Sequence, residues 1–191
     1  MQKQFINSEQ LLLDSYRLSM QIFNSNFRPD FIVGIWRGGS PVGIAVQDCL
    51  AYLGIKTDHI SIRTSYRGAL SYQKMIENSD QIRVHGTQYL IENMNADNSL
   101  LIVDDVYSSG LNVQALIRRL EQKCRRNLPA DIRVAVPWFK PAQNKTTRTP
   151  DYYLYETNKW LVLPYELNGL TEQEIALNKP TVKALADNLI V

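Results

Sequence analysis

The chain has little cysteine, little net charge and no long apolar run, and each shortage removes a class of protein. Only Cys49 and Cys124 occur in 191 residues, on apolar helical positions with no metal-ligand spacing between them. Buried, reduced thiols are expected, which fits a reducing cytoplasm. Lys and Arg number 21 against 19 Asp and Glu, a formal charge of +2. That is too mild for a protein that grips nucleic acid through its field. Arg118, Arg119, Lys123, Arg125 and Arg126 do gather, and they read as the solvated face of a helix. No apolar run approaches the roughly 20 residues that a membrane helix needs. The opening "MQKQFINSEQ" carries no signal-peptide core. The expectation is a cytoplasmic protein with neither membrane nor nucleic acid as its partner.

What is present is enough apolar content, 45%, for a real core in one domain. Residues 8–24 read as a helix that Ser8 caps, with Leu12, Tyr16 and Phe23 as its apolar stripe. "FIVGIW", 31–36, is a buried strand running into Arg37–Gly38–Gly39–Ser40. A helix follows, with Pro41 in its first turn and Gly54 at its left-handed end. "HISIR", 59–63, is a further strand. From Thr64 to Asn98 the pattern loosens, with one strand candidate, "TQYLIEN" at 87–93. Val113, Leu116, Ile117, Leu120 and Cys124 then line one side of a helix. "IRVAVPWF", "YYLY" and "WLVL" are strands, with a basic loop, "NKTTRTP", at 144–150. A capping box at Thr171–Glu174 opens a last helix, which Pro180 divides from a second short one. Strand–loop–helix alternation predicts an α/β domain, a mainly parallel sheet flanked by helices. There is no internal repeat and no interdomain linker.

The chemistry gathers in "LLIVDDVYSSGLN", 100–112, where a buried strand ends in Asp104 and Asp105. Ligands of such sheets bind beyond the carboxyl ends of the strands. The turn Ser108–Asn112 offers hydroxyls, a glycine and an amide at a helix start, where unpaired N–H groups suit phosphate. Two carboxylates can accept hydrogen bonds from a sugar diol or hold Mg²⁺ beside it. Together they describe a cradle for a ribose 5-phosphate. "WRGGSP" adds a fixed cation and two glycines whose backbone can approach a second phosphate closely.

"LLIVDDVYSSG" resembles the signature of type I phosphoribosyltransferases, which use phosphoribosyl pyrophosphate (PRPP). "GIWRGG" is similar to their pyrophosphate loop, and Ser65–Tyr66 of "TSYRG" to the Ser–Tyr of their mobile loop. "WFKP" with "TPDYYLYETNKWLVLPYE" resembles the base-binding hood of the hypoxanthine/xanthine–guanine branch. The resemblance implies a single domain over 1–191: core about 30–140, mobile loop about 64–98, hood about 140–170 plus the termini. It implies transfer of phosphoribose from PRPP to a 6-oxopurine in purine salvage, with Mg²⁺ as cofactor and a dimer or tetramer as the assembly. Asp104 and Asp105 would hold the ribose hydroxyls, directly or through the metal. Ser108, Ser109, Gly110, Leu111 and Asn112 would wrap the phosphate. Trp36, Arg37 and Gly38 would hold pyrophosphate, with a cis peptide expected at Trp36–Arg37. Lys140 would donate to the exocyclic oxygen of the base and Trp160 would stack on its ring. Leu161 and Glu166 would contact its edge, while Ser65 and Tyr66 close over the reacting centre.

Two positions depart from the family pattern. Where the purine enzymes carry an aspartate assigned acid–base work, this chain has Ser108. Asn112 stands in place of the usual threonine or serine. These departures keep open a second reading, a weak or inactive relative that binds PRPP or nucleotide as a signal.

Overall fold

The computed structural model describes residues 2–66 and 82–188. In chain order the elements are β1 (Lys3–Phe5), α1 (Ser8–Asn24), β2 (Phe31–Trp36), α2 (Gly39–Tyr52) and β3 (Asp58–Tyr66). There follow β4 (Ile82–His85), α3 (Gln88–Asn93), β5 (Ser99–Val103), β6 (Val106–Tyr107) and α4 (Leu111–Cys124). The remainder are β7 (Asp131–Phe139), β8 (Tyr152–Glu156), β9 (Trp160–Val162), α5 (Glu172–Asn178) and α6 (Pro180–Asp187). They form two compact units, Leu12–Asn158 and Met1–Leu11 with Lys159–Val191. No helix of the described residues is long and apolar enough to cross a membrane.

The larger unit is a seven-stranded sheet in the order β4-β3-β2-β5-β7-β6, with β8 also paired to β7. Every pairing is parallel except β3 with β4. β2 and β5 are central and read as unbroken apolar runs, as strands covered on both faces do. Val33, Ile35, Leu100, Ile102, Val134 and Val136 form the core with Val113, Leu116 and Leu120 of α4. α2 lies close on the sheet because two glycines permit it. A Cβ at Gly34 or Gly43 would come within 3.1 or 2.9 Å of the His59 ring nitrogen. The helix ends as expected: Gly54 has φ +86°, its N–H reaches Ala51 O, and Ile55 N–H reaches Leu50 O.

Four local expectations are corrected. Helix α1 is capped by Asn7, whose Oδ1 accepts from Gln10 N at 2.7 Å, and not by Ser8, the first helical residue. Its buried stripe is Leu11, Asp14, Ser15, Leu18, Ser19 and Ile22, while Leu12 is exposed. Most polar atoms there are bonded: Ser19 Oγ donates to Ser15 O, and Tyr155 Oη and Arg17 donate to Asp14 Oδ1, while Asp14 Oδ2 is buried without a hydrogen-bond partner. "TQYLIEN" is helical, because Leu90 and Met94 are fully buried at the i, i+4 spacing of one helix face. Nor is all of 64–98 irregular. β3 runs on to Tyr66 and pairs with β4, Ser65 opposite Arg83. The part of that segment at 67–81 lies outside the described residues.

In the smaller unit β1 pairs in parallel with β9, Lys3 opposite Trp160. The capping box is present: Thr171 Oγ1 accepts from Glu174 N, and Glu174 Oε2 from Thr171 N. Lys3 Nζ meets the same carboxylate at 2.7 Å. α6 is the expected second short helix, with Pro180 in its first turn.

Candidate active site

The two acids stand where a strand is interrupted. β5 and β6 both run along β7 in one continuous register, Val103 opposite Ala135 and Val106 opposite Trp138. Asp104 and Asp105 fall in the gap. Asp104 N–H makes the last rung, to Ala135 O at 3.2 Å. In a parallel ladder the next rung would run from the N–H of residue 137 to the Asp104 carbonyl, but residue 137 is proline and has none. The ladder therefore opens at the acidic pair. Asp105 N–H donates to Asp104 Oδ1 at 3.0 Å, and Val106 N–H to Asp105 Oδ1 at 2.7 Å. Loss of hydration, and then the neighbouring charge of Asp105, push the Asp104 carboxyl well above the usual carboxylate range.

Across from the acids, the peptide Trp36–Arg37 is cis, as expected. Arg37 is exposed and Gly38 buried. Gly39 serves the protein itself, not the close approach of a ligand: a Cβ there would stand 2.4 Å from Val103 O. The start of α2 is thereby pressed against the end of β5. A cleft of about 250 Å³ results, lined by Trp36, Arg37, Gly38, Asp104 and Asp105 and, from the turn, Tyr107, Ser108, Ser109, Gly110 and Asn112, with Leu111 not among them. Both helices that open onto it, α2 and α4, begin after a glycine with no side-chain cap. Two first-turn N–H groups bond within the preceding loops, Leu111 N–H to Ser109 Oγ at 3.4 Å and Ser40 N–H to Arg37 O at 3.3 Å, whereas α5 is capped by the Thr171 side chain.

The turn itself is braced from behind. Gly110 has φ +74°, and a Cβ on it would come within 2.6 Å of Tyr107 Oη and 2.7 Å of Thr146 Oγ1. Residues 140–148 follow the turn closely. Lys140 N–H donates to Tyr107 O at 2.8 Å, and Lys145 N–H to Ser109 O at 3.0 Å. Tyr107 Oη donates to Arg148 O at 3.0 Å, and Ser108 Oγ to Gln143 Oε1 at 2.5 Å. The loop "NKTTRTP" is thus structural backing for the cradle.

Lys140 has 7% of its surface exposed, so it is no ordinary surface lysine. Leu111 is buried as the first residue of α4. Ser65 lies in β3 and its Oγ meets His85 Nε2 at 2.9 Å; of the Tyr66 partner only its place in the strand is described. Trp160, Leu161 and Glu166 belong to the smaller unit. Trp160 is half exposed and Leu161 buried. Glu166 Oε2 accepts from Leu163 N–H at 3.0 Å, which closes the turn after β9. Trp160 and Glu166 line a hollow of about 350 Å³ with Lys3, Val162, Asn168, Gly169 and Leu170. Sequence reading missed Pro137 and Gln143. The proline was legible as a missing donor; the glutamine, 35 residues from Ser108, left no signal.

The acids fit a hard divalent cation. They are adjoining oxygen donors, and Asp104 carries charge that burial and Asp105 both disfavour. Among the described residues no group of three or more His, Cys, Asp or Glu stands together. A cation here would complete its shell with phosphate oxygens and water.

The family model of the phosphoribosyl transferase domain matches residues 1–168. The search of curated proteins gives no match. Among solved structures, a purine phosphoribosyltransferase from Pyrococcus horikoshii Ot3 is similar, with 22% identity and TM-score 0.64, over 90% of this chain and 99% of that one. Xanthine-guanine-hypoxanthine phosphoribosyltransferase from Helicobacter pylori has 17% identity and TM-score 0.62, over 87% and 93%. A hypothetical protein from Neisseria gonorrhoeae with bound ppGpp has 17% identity and TM-score 0.66, over 94% and 97%.

Proposed function

The chain belongs to the phosphoribosyl transferase domain family, and from that premise we propose that it transfers the 5-phosphoribosyl group of PRPP to a 6-oxopurine base. The products would be a nucleoside monophosphate and pyrophosphate, as in purine salvage. One observation supports this above the others: Arg37–Gly38, Asp104–Asp105, and Ser108, Ser109, Gly110 and Asn112 of the turn line a single cleft. It has a phosphate cradle at one uncapped helix start, a cation at another and a diol acceptor between them.

In this reading the turn and the first N–H groups of α4 hold the 5-phosphate. Asp104 and Asp105 accept the ribose hydroxyls. Trp36, Arg37 and Gly38 hold the pyrophosphate through charge and backbone donors. Lys140 donates to the exocyclic oxygen of the base; stacking on a base ring is the role that the family resemblance implies for Trp160 of the smaller unit. Contact with a base edge is likewise the role the resemblance implies for Leu161 and Glu166 of the smaller unit, and Ser65 and Tyr66 cover the reacting centre. A ring nitrogen attacks the anomeric carbon, and the bond to the pyrophosphate oxygen breaks. Pyrophosphate leaves with the electron pair, and the base loses a ring proton to solvent. Mg²⁺, held through Asp104 and Asp105, would supply neutralising charge for the departing pyrophosphate. The protein's own part is to fix the partners in line, to stabilise charge and to keep water out.

A second reading, a nucleotide-binding regulator with weak or no turnover, draws on the neutral Ser108 and on the Neisseria neighbour with bound ppGpp. A double variant, Asp104→Asn with Asp105→Asn, tests the proposed cradle. Calorimetry should show PRPP affinity falling at least tenfold, as expected for hydrogen bonds to charged groups, with circular dichroism unchanged. Unaltered PRPP affinity in a folded double variant would refute the assignment.

A further inference from the structure

A second hollow, of about 570 Å³, lies between β4 and α4 and shares no lining residue with the cleft. Arg83 and His85 line it from β4, two residues apart and so on one side of the strand. Ala115, Arg118, Arg119 and Gln122 line it from α4, at the i, i+3, i+4 and i+7 spacing of one helix face. No Asp or Glu of the described residues is in its walls. Arg118 has a partner of its own. Neither Arg83 nor Arg119 is paired with a carboxylate of the described residues. Arg119 also departs from the solvated face expected of this helix. It is half-buried, and its Nε is buried without a hydrogen-bond partner. A buried donor on a charged group is costly to leave without an acceptor, and the structure brings it to a wall where cations enter from two elements.

We propose that this hollow is a second anion site, which takes the phosphate chain of an oligophosphate on the guanidinium groups of Arg83 and Arg119. The planar fork of a guanidinium matches the oxygens of a phosphate. A volume more than twice that of the cleft has room for several phosphates in a row. Free polyphosphate and a nucleoside triphosphate share this chemistry. Nucleic acid fits less well: Lys123, Arg125 and Arg126 are outside the hollow, and the net charge of +2 gives no broad basic face. The inference does not rest on the proposed transfer reaction.

The test is calorimetric titration of tripolyphosphate into Arg37→Gln protein, where the cleft has lost its cation. One bound chain per protomer is the expected result. Adding Arg83→Gln or Arg119→Gln should weaken binding at least about tenfold, the loss of one hydrogen bond between charged groups, with circular dichroism unchanged. Arg119→Lys, which keeps the charge and loses the fork, should fall between. Arg83 is exposed, so its variant carries the test should Arg119→Gln fail to fold. Repeating the titration with ATP separates the sources. Tighter binding than tripolyphosphate assigns the site to a nucleotide, equal binding assigns it to free polyphosphate, and either supports the site. No binding of tripolyphosphate, or affinity unaltered by Arg83→Gln, would overturn the inference. So would a mixed-sequence RNA that binds through these arginines where tripolyphosphate does not.

Discussion

At Asp104 the site works against the fold. Burial and the Asp105 charge raise its pKa in the native state, so the native protein binds more protons there than the unfolded chain. Stability is therefore lost as pH rises from the ordinary carboxylate range through the raised value, and the deficit persists at neutral pH. Asp104→Asn removes that deficit. Its melting temperature should exceed that of the unaltered protein at pH 7 and match it near pH 3, where the carboxyl is protonated in both states. Thermal melts at the two pH values check this, and an equal or lower melting temperature at pH 7 would contradict it. Most of the cleft's residues could be read from sequence because their chemistry is local: two acids, a hydroxyl–glycine turn and a cation follow strands within a few residues. Lys140 could not be placed as buried, and Gln143 could not be joined to Ser108, because both depend on a segment folding back across the turn.

Elements were legible where period and punctuation agreed. β2, α1 and the second short terminal helix lie where the pattern put them. "TQYLIEN" carries Tyr, Leu and Ile, which suit a strand as well as a helix, and only the buried pair Leu90 and Met94 decides. The stripe of α1 was displaced because buried Ser19 bonds the Ser15 carbonyl and buried Asp14 accepts from Tyr155, a bonding pattern that apolar spacing does not reveal. Glycines show the same divide between local and tertiary causes. Gly54 has φ +86° and nothing within 4 Å of a would-be Cβ, so Gly54→Ala should cost about 1 kcal/mol, with PRPP affinity kept. Gly39 is limited by the Val103 carbonyl, at 2.4 Å from its would-be Cβ. Gly39→Ala should cost about 1–3 kcal/mol and weaken PRPP binding too, since the start of α2 must shift. Urea denaturation and calorimetry on both variants check the contrast.

Over the whole molecule, a mostly parallel sheet with its central strands covered on both faces sets the ends of β2 and β5 beside each other, and the cleft follows from that topology. The α/β class could be read from alternation alone. The antiparallel edge made by β4 could not, because it pairs with β3 at a distance in sequence. The most direct measurement is pyrophosphate release from PRPP and Mg²⁺ against a panel of purine and pyrimidine bases. Release with one or more 6-oxopurines, and none with pyrimidines, is the predicted result. No release with any base, together with tight binding of PRPP or nucleotide, would contradict it and make this cleft a sensor.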